Sequence, residues 1–338
     1  MLALSVLDQS PIPSGSTAAT AVRATIALAQ AAERLGYWRY WLAEHHNTSA
    51  LAGSTPEILI AQVAAHTSSL RVGSGGVMLS HYSPLKVAEN FRMLHTLFPG
   101  RIDLGIGRAP GSDPLTAQAL QHGPGALGIE HFPEQIADLI GYLHDGLEPE
   151  HPFARVRAMP AGPGAPELWL LGSSGQSAAY AAYFGMAFSF AHFINPIHGP
   201  RVMAGYRERF QPSARLPAPF GSVGISVICA ETQTQAERLA SSLRLWRLRL
   251  ERGDPGPVPT VEEAERYPYS EFERLRIAQN LNRSIVGDPG QVRAQMCALA
   301  EAYGVEELVV VTICHDPQAR LRSYELLAEA FGLRPRTG

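Results

Sequence analysis

Short apolar segments and longer amphipathic segments alternate along the whole chain, and this alternation constrains the fold more than any single motif. Eight strand-like segments are each followed by a helix-like segment. The strand-like segments are 2–8, 37–46, 71–79, 101–107, 167–174, 186–195, 222–230 and 305–313. Repeated βα units are typical of a parallel sheet covered by helices, because parallel strands need long crossover connections. Eight units with no leftover strand predict an α/β fold, a closed (β/α)8 TIM barrel. An open doubly wound sheet would leave the full-length alternation unexplained.

Two stretches interrupt the alternation, the Pro/Gly-rich residues 148–166 and the polar residues 252–286. Neither resembles a linker between domains, so we predict one domain over residues 1–338 with both stretches inserted in the barrel. The chain has 338 residues, of which 46% are hydrophobic. A chain of this size can bury a large core without disulfides or a structural metal.

Charge and cysteine content exclude several classes of protein. The formal net charge of −3 argues against a nucleic-acid or anionic-membrane partner, since both require a basic surface. No apolar run approaches the roughly 18 residues of a membrane helix, and the N-terminus lacks the basic region of a signal peptide. The cysteines, Cys229, Cys297 and Cys314, are odd in number and widely spaced. They indicate a reducing compartment, and we expect a cytoplasmic enzyme.

In a (β/α)8 barrel the chemistry lies where strands end and βα loops begin. The second strand-like segment ends in Glu44-His45-His46, whose adjacent histidines suggest a metal site. Successive side chains of a strand point to opposite faces, however, so both histidines reach one ion only if the strand has already ended. The chain has no HxH, HExxH or paired-cysteine spacing. We therefore predict no metal site.

Glycine-rich segments follow two other strands. Gly105-Ile106-Gly107 opens a loop that superficially resembles a dinucleotide fingerprint, but the third glycine, Gly111, comes one residue late and no acidic residue follows at the required strand end. The Gly73-Ser74-Gly75-Gly76 run lies inside an otherwise good strand. Glycine there marks either a place where a ligand approaches the backbone or a packing kink, and the sequence leaves both open.

Arg108 and the segment from Gly172 to Ser177 together suggest an anion site. The segment contains Ser173, Ser174 and Ser177 between a strand and a helix. The first N–H groups of a helix and nearby hydroxyls favour negative charge, and an arginine adds a bidentate phosphate contact. Simple capping of the helix is the alternative explanation for the serines.

Five blocks of this sequence resemble the bacterial luciferase-like flavin-dependent monooxygenases, in particular their single-chain luciferase-family oxidoreductases. The blocks are GYWRYWLAEHH, RVGSGGVMLSHYSPLKVAENFRML, PGRIDLGIGRAPG, LWLLGSSGQSAAYAAYFGM and RLRSYELLAEAFG. The resemblance implies a TIM barrel with reduced FMN bound at its C-terminal face. It also implies that O₂ oxygenates a small organic substrate through a C4a-peroxyflavin.

Where the motifs match, the roles of the family's site residues can be assigned to positions of this chain. By the resemblance, His45 is the catalytic acid/base, and Gly75-Gly76 form the pair with a non-prolyl cis peptide under the flavin ring. A side chain at Gly75 would then occupy the space of the ring. Arg108 and the serines of the 172–177 segment match the phosphate site. Gly107 stands where luciferase has a reactive cysteine, so light emission is not expected.

Further expectations follow from the resemblance and from the residues around His45. An ordinary histidine titrates near neutral pH, so His45 would donate or accept the proton that controls peroxide release. Glu44 would orient the site or hydrogen-bond the flavin, with a structural salt bridge as the alternative. No nicotinamide-binding unit is evident, which implies a separate flavin reductase. The resemblance also implies that the protein is a homodimer and that residues 252–286 form a mobile lid.

Two alternatives to a monooxygenase remain open from the sequence. The first is a deazaflavin-dependent dehydrogenase on the same barrel, which would transfer hydride without oxygen chemistry. The second is a flavin-binding protein that has the fold and no turnover.

Overall fold

A computed structural model describes residues 2–109, 111–121, 128–144 and 146–335, and within them ten strands form one sheet. The strands are β1 (Ala3–Asp8), β2 (Arg39–Leu42), β3 (Arg71–Ser74), β4 (Val77–Met78), β5 (Ile102–Gly107), β6 (Glu167–Gly172), β7 (Ala187–Ala191), β8 (Gly221–Cys229), β9 (Ser284–Gly287) and β10 (Glu307–Val311). Every pairing between them is parallel.

The sheet closes on itself. Hydrogen-bonded neighbours run in the order β1, β2, β3, β5, β6, β7, β8 and β10, and β10 pairs again with β1. The short β4 continues β3 after a break and pairs with β5, while β9 lies outside this circuit against β8. The predicted closed barrel of eight parallel strands is therefore confirmed, and all eight strand-like segments of the sequence contain one of its strands.

Helices cover the outside of the barrel. They are α1 (Ala18–Leu35), α2 (Pro56–Ala65), α3 (Pro84–Leu97), α4 (Pro114–Leu120), α5 (Phe132–Leu143), α6 (Gly175–Tyr183), α7 (Gly199–Arg209), α8 (Gln233–Glu251), α9 (Val261–Arg266), α10 (Glu271–Gln279), α11 (Pro289–Tyr303) and α12 (Pro317–Phe331). Their ends follow local chemistry. α11, for example, begins with a capping box of Asp288 and Gln291 and ends at the left-handed Gly304.

A buried ion-pair network holds the barrel interior together. Arg39 of β2 contacts Asp103 of β5 at 2.8 Å and Glu307 of β10 at 2.7 Å, and its guanidinium lies 4.7 Å from the ring centroid of Trp169. The Trp41 indole N–H also donates to Asp103. Removing one partner of such a buried pair leaves an uncompensated charge, so this cluster links three strands that are distant in sequence.

The polar stretch 252–286 contains two helices, which the sequence did not indicate. It contains α9, α10 and most of β9, and both helices pack beside α8. Its start is hydrogen-bonded to the first βα loop, because Val258 donates to the Ile12 carbonyl and accepts from the Ser14 N–H. Residues 148–166, in contrast, contain turns and bends but no helix or strand. None of the described helices is long and apolar enough to span a membrane.

Candidate active site

A cavity of about 480 Å³ lies at the end of the barrel where the strands finish. Its walls come from the residues that follow β1, β2, β5 and β7, from the inner faces of β8 and β10, and from α8 on one side. They include the apolar Leu51, Phe193, Ile194, Trp246, Leu250, Pro255, Val311 and Ile313 and the polar Gln9, His45, His46, Asn47, Thr48, Ser112, Asp113, Ser226 and Arg247. A concave space that combines apolar side chains with polar groups able to orient a ligand is typical of a small-molecule site.

His45 lies in this cavity wall on a loop, since β2 ends three residues earlier at Leu42. Its Nε2 lies 3.4 Å from the Gln9 side-chain nitrogen, and the ring also hydrogen-bonds the Gly111 backbone. Desolvation lowers the pKa of His45 to about 4, although the Gly111 bond raises it; nearby His46 lowers it further. The expectation from the sequence that His45 titrates near neutral pH is therefore wrong, and the ring is neutral at pH 7.

Glu44 faces away from the cavity and is fully engaged within the protein. Its side chain is buried, its Oε2 accepts from the Met78 N–H at 3.0 Å, and its Oε1 accepts from the Tyr82 hydroxyl at 2.7 Å. His46 Nε2 lies 2.8 Å from the same Oε1. These contacts join the loop after β2 to the segment after β3, and the His46 contact matches the structural salt bridge that the sequence left open for Glu44.

The peptide bond between Gly75 and Gly76 is cis, as the family resemblance implies. The pair falls in the break between β3 and β4. A Cβ on Gly75 would lie 2.5 Å from Cδ1 of Leu7 and 3.1 Å from Cβ of Trp41, and one on Gly76 would lie 2.6 Å from the Gly105 carbonyl. A Gly75 side chain would therefore first meet the Leu7 and Trp41 side chains, and the expectation that it would occupy the space of the flavin ring stays a prediction.

The proposed anion site is brought together by β5, β6 and α6. An Arg108 Nη1–H donates to the Gln176 side-chain oxygen in the first turn of α6. Ser174 caps that helix by accepting from the Ser177 N–H, and the two hydroxyls lie 3.4 Å apart. The Ser173 carbonyl accepts from Asn195, the neighbour of Ile194 in the cavity wall. Capping of α6 is thus observed, and the same arrangement leaves open space at Gly175 for an anion.

Several residues of the cavity were missed by the sequence analysis. Gln9 follows β1 directly, so the rule that points to strand ends would have found it. Arg247 lies in the middle of α8, where the sequence gives no signal of a site. Among the described residues, no group of three or more His, Cys, Asp or Glu side chains is arranged to hold a metal ion.

Comparison with protein families gives a match that spans most of the chain. A family model described as luciferase-like monooxygenase matches residues 2–307. The chain belongs to the luciferase-like monooxygenase family. YwcH of Bacillus subtilis is 50% identical over 98% of this chain and 99% of its own length. An Escherichia coli protein named luciferase-like monooxygenase is 41% identical over 96% of both chains, and the N-acetyl-S-alkylcysteine monooxygenase of Bacillus subtilis is 38% identical over 98% of both.

Solved structures give the same result for the fold. The crystal structure of apo-MsnO8 matches with a TM-score of 0.91 at 42% identity, covering 99% of this chain and 100% of that one. The oxygenating constituent of 3,6-diketocamphane monooxygenase from Pseudomonas putida, in complex with FMN, matches with a TM-score of 0.70 at 22% identity over the whole of both chains. An F420-dependent secondary alcohol dehydrogenase matches with a TM-score of 0.66 at 12% identity, covering 99% of both chains. The identities of 22% and 12% to the last two structures show the fold alone. Family membership confirms the predicted enzyme class, an oxidoreductase of the monooxygenase type.

Proposed function

We propose that this enzyme binds FMN in its reduced form and uses O₂ to oxygenate a small organic substrate in the cavity at the barrel mouth. The observation that carries this proposal is that His45 and the anion site of Arg108 and α6 lie at the same end of the barrel. A monooxygenase relative at 38% identity and an FMN complex of a more distant structural neighbour support it.

The residues around α6 suit the phosphate of FMN. The first N–H groups of a helix have no intrahelical partners, and the positive end of the helix dipole favours an anion. Arg108 already reaches the first turn of α6 through Gln176, and a phosphate would offer it a stronger, charge-assisted acceptor. Ser173, Ser174 and Ser177 would supply hydroxyl donors, and the backbone of Gly75 and Gly76 in the break between β3 and β4 would face the flavin ring, as the family resemblance implies.

Reduced flavin supplies the reaction with O₂ in this proposal, and the protein controls water and protons around it. The apolar walls of the cavity limit the access of water. The neutral His45 ring can carry only one N–H. If Nε2 accepts from the Gln9 amide, the N–H points to the Gly111 carbonyl. The Nε2 lone pair is then the only acceptor of the ring, and a reacting group can use it once it displaces the Gln9 amide, while Glu44 fixes the loop that carries His45.

The test mixes the purified protein with FMNH₂ under nitrogen and then admits air, with an N-acetyl-S-alkylcysteine as the first substrate. Substrate-dependent product formation with O₂ uptake supports the proposal. If reconstitution with the deazaflavin F420 instead gives hydride transfer, for example from an alcohol, without O₂, the dehydrogenase alternative replaces this proposal. Tight flavin binding without turnover on a broad panel of thioethers, ketones and aldehydes would indicate a binding protein.

His45→Ala and His46→Ala form a matched pair for the proton step. We expect His45→Ala to keep FMN binding and to lose coupled oxygenation by about 10²–10⁴-fold, with hydrogen peroxide released in place of product. His46→Ala should retain coupling but lower the thermal stability, because His46 bonds to Glu44. Wild-type coupling in His45→Ala, or an exchange of the two phenotypes, would refute the assignment.

Electron supply, assembly and location complete the proposal. We propose that a separate reductase delivers the reduced flavin, so the protein alone should not oxidise NADH or NADPH. We propose a homodimer, supported by the exposed apolar Ile58, Met93 and Leu97 on the neighbouring helices α2 and α3. Light scattering should then give twice the chain mass. The three cysteines are all unpaired, which supports the proposed cytoplasmic location.

A further inference from the structure

Arg247 is the one arginine among the described residues that line the mouth cavity, and no lysine joins it there. It lies on the face of α8 that also presents Trp246 and Leu250 to the cavity. Around it the wall is apolar, with Phe193, Ile194 and Ile313 among its members. A cation in such surroundings is costly unless something pairs with it.

The guanidinium of Arg247 has few acceptors within the protein. One Nη1–H donates to the Ser284 hydroxyl at 2.6 Å, and Arg247 is absent from the ion pairs found in the described part of the chain. An arginine has five N–H donors, so most of its donor capacity is available to another group. Burial lowers the pKa of Arg247 to about 10; neighbouring Arg283 and Arg244 lower it further, and Glu251 one turn away raises it.

Three other buried or half-buried arginines in the described part of the chain have ion pairs or use most of their donors. Arg39 contacts Asp103 and Glu307, and Arg320 contacts Asp8 at 2.7 Å. Arg101 has no carboxylate but donates to several backbone carbonyls of the loop after α2. Arg247 departs from both patterns: among the described residues it has one hydrogen bond, to Ser284, and only the more distant charge of Glu251, so its guanidinium has donors left for a group from outside the chain.

Nearby carboxylates form their ion pairs and hydrogen bonds with other groups. Glu251, one turn along α8, is shared by Arg276 at 2.7 Å and Arg283 at 3.6 Å. Asp113, across the cavity, caps α4 and accepts from Asn47, Thr116 and the backbone of the first helical turn. The side of the cavity formed by α8 therefore carries a net positive charge.

We propose that Arg247 binds a carboxylate of the organic substrate, so that the enzyme acts on small acids with an apolar body. This inference rests on the proposed function insofar as the mouth cavity is the substrate site. The guanidinium fork matches a carboxylate in a bidentate manner, and the apolar wall from β7, β10 and α8 would receive the rest of the molecule. The flavin phosphate is assigned to the separate site of Arg108 and α6.

The test uses isothermal titration to compare the binding of hexanoate and hexanamide. The two ligands share the same carbon chain, but only hexanoate is charged. Wild type should prefer hexanoate by about 10-fold or more, since hydrogen bonds to charged groups are worth about 1.5–3 kcal/mol. Arg247→Gln should lose that preference. Arg244 lies on the same helix but pairs with Glu237 outside the cavity, so Arg244→Gln should keep the preference for hexanoate.

The remaining measurements separate this inference from its alternatives. The melting temperature of Arg247→Gln should stay close to that of wild type, because within the described residues Arg247 forms no ion pair and only one hydrogen bond, to Ser284. Equal binding of the acid and the amide by wild type, or a preserved preference in Arg247→Gln, would overturn the inference even if flavin-dependent oxygenation is observed. A loss of FMN affinity in Arg247→Gln would overturn it by assigning the residue to the flavin. A clear preference for hexanoate in a protein without oxygenase activity would refute the proposed function and leave the Arg247 assignment standing.

Discussion

Glu44→Gln distinguishes a positioning carboxylate from one that takes part in the chemistry. The substitution preserves the shape of the side chain but removes its charge and replaces one oxygen with an NH₂ group. In the structure the two oxygens accept from three donors, the Met78 N–H, the Tyr82 hydroxyl and the His46 ring. An amide offers only one acceptor oxygen to these three donors.

The cost follows from these contacts. If the amide oxygen stays with Tyr82 and His46, the new NH₂ faces the Met78 N–H and leaves it unpaired in a buried place, which costs about 1–3 kcal/mol. Each of the two remaining bonds loses its charge assistance, about 1 kcal/mol apiece. The sum is about 3–5 kcal/mol. For a large domain, at about 2 °C per kcal/mol, the melting temperature should fall by about 6–10 °C.

Thermal unfolding of the apo protein at pH 7 measures this effect, with Glu57→Gln as the matched control. Glu57 is a partly buried carboxylate with one side-chain bond, from Asn90 at 3.2 Å, so its substitution should cost less than about 1 kcal/mol. A decrease below about 2 °C for Glu44→Gln would refute the reasoning. Lost turnover at an unchanged melting temperature would instead give Glu44 a direct part in the reaction.

Three further predictions concern the cofactor site, the barrel interior and pH. Arg108→Ala should weaken FMN binding about 10–150-fold and riboflavin binding little, measured by fluorescence titration, whereas equal losses would exclude a phosphate contact. Gly75→Ala should lower the melting temperature because its Cβ would meet Leu7, and a normal value would show that the barrel interior can adjust. The pKa of His45 is lowered to about 4 in the folded state, so the unfolded chain binds the proton first as the pH falls. Wild type should therefore lose more stability than His45→Gln between about pH 6.5 and 4, and parallel curves from chemical denaturation would contradict this.

The barrel could be predicted from sequence because its strands are buried on both faces and separated by amphipathic helices. The end of β2 could not. The sequence analysis extends this strand to His46, but the last register pairs of β2 are Leu42 with Asp8 of β1 and Leu42 with Ser74 of β3. Both neighbouring strands end level with Leu42, so β2 has no strand partner beyond it among the described residues. Glu44 and His45 therefore lie on a loop and not in the strand.

The helices of 252–286 were missed for a different reason. α10 has no buried residues and no apolar stripe, so its hydrophobic pattern gives no helical period. Its capping box of Ser270 and Glu273 was present in the sequence and could have marked its start. Arg247 could not have been singled out, because the stretch around it is rich in arginine and only the structure shows which arginines have partners.

The positions of these residues suggest how members of one family can differ in substrate. Arg108, Ser174 and His45 lie on loops that follow barrel strands, whose geometry is fixed by the closed sheet. Arg247 lies on α8, beside the insertion that contains α9 and α10, and Ser284 at the end of that insertion holds its guanidinium. A change in α8 or in the insertion can therefore alter the charge and shape of the substrate wall while the strand ends that would hold flavin stay in place. On this reasoning, exchanging residues 247–284 between this chain and a relative should transfer acid preference and leave FMN affinity unchanged.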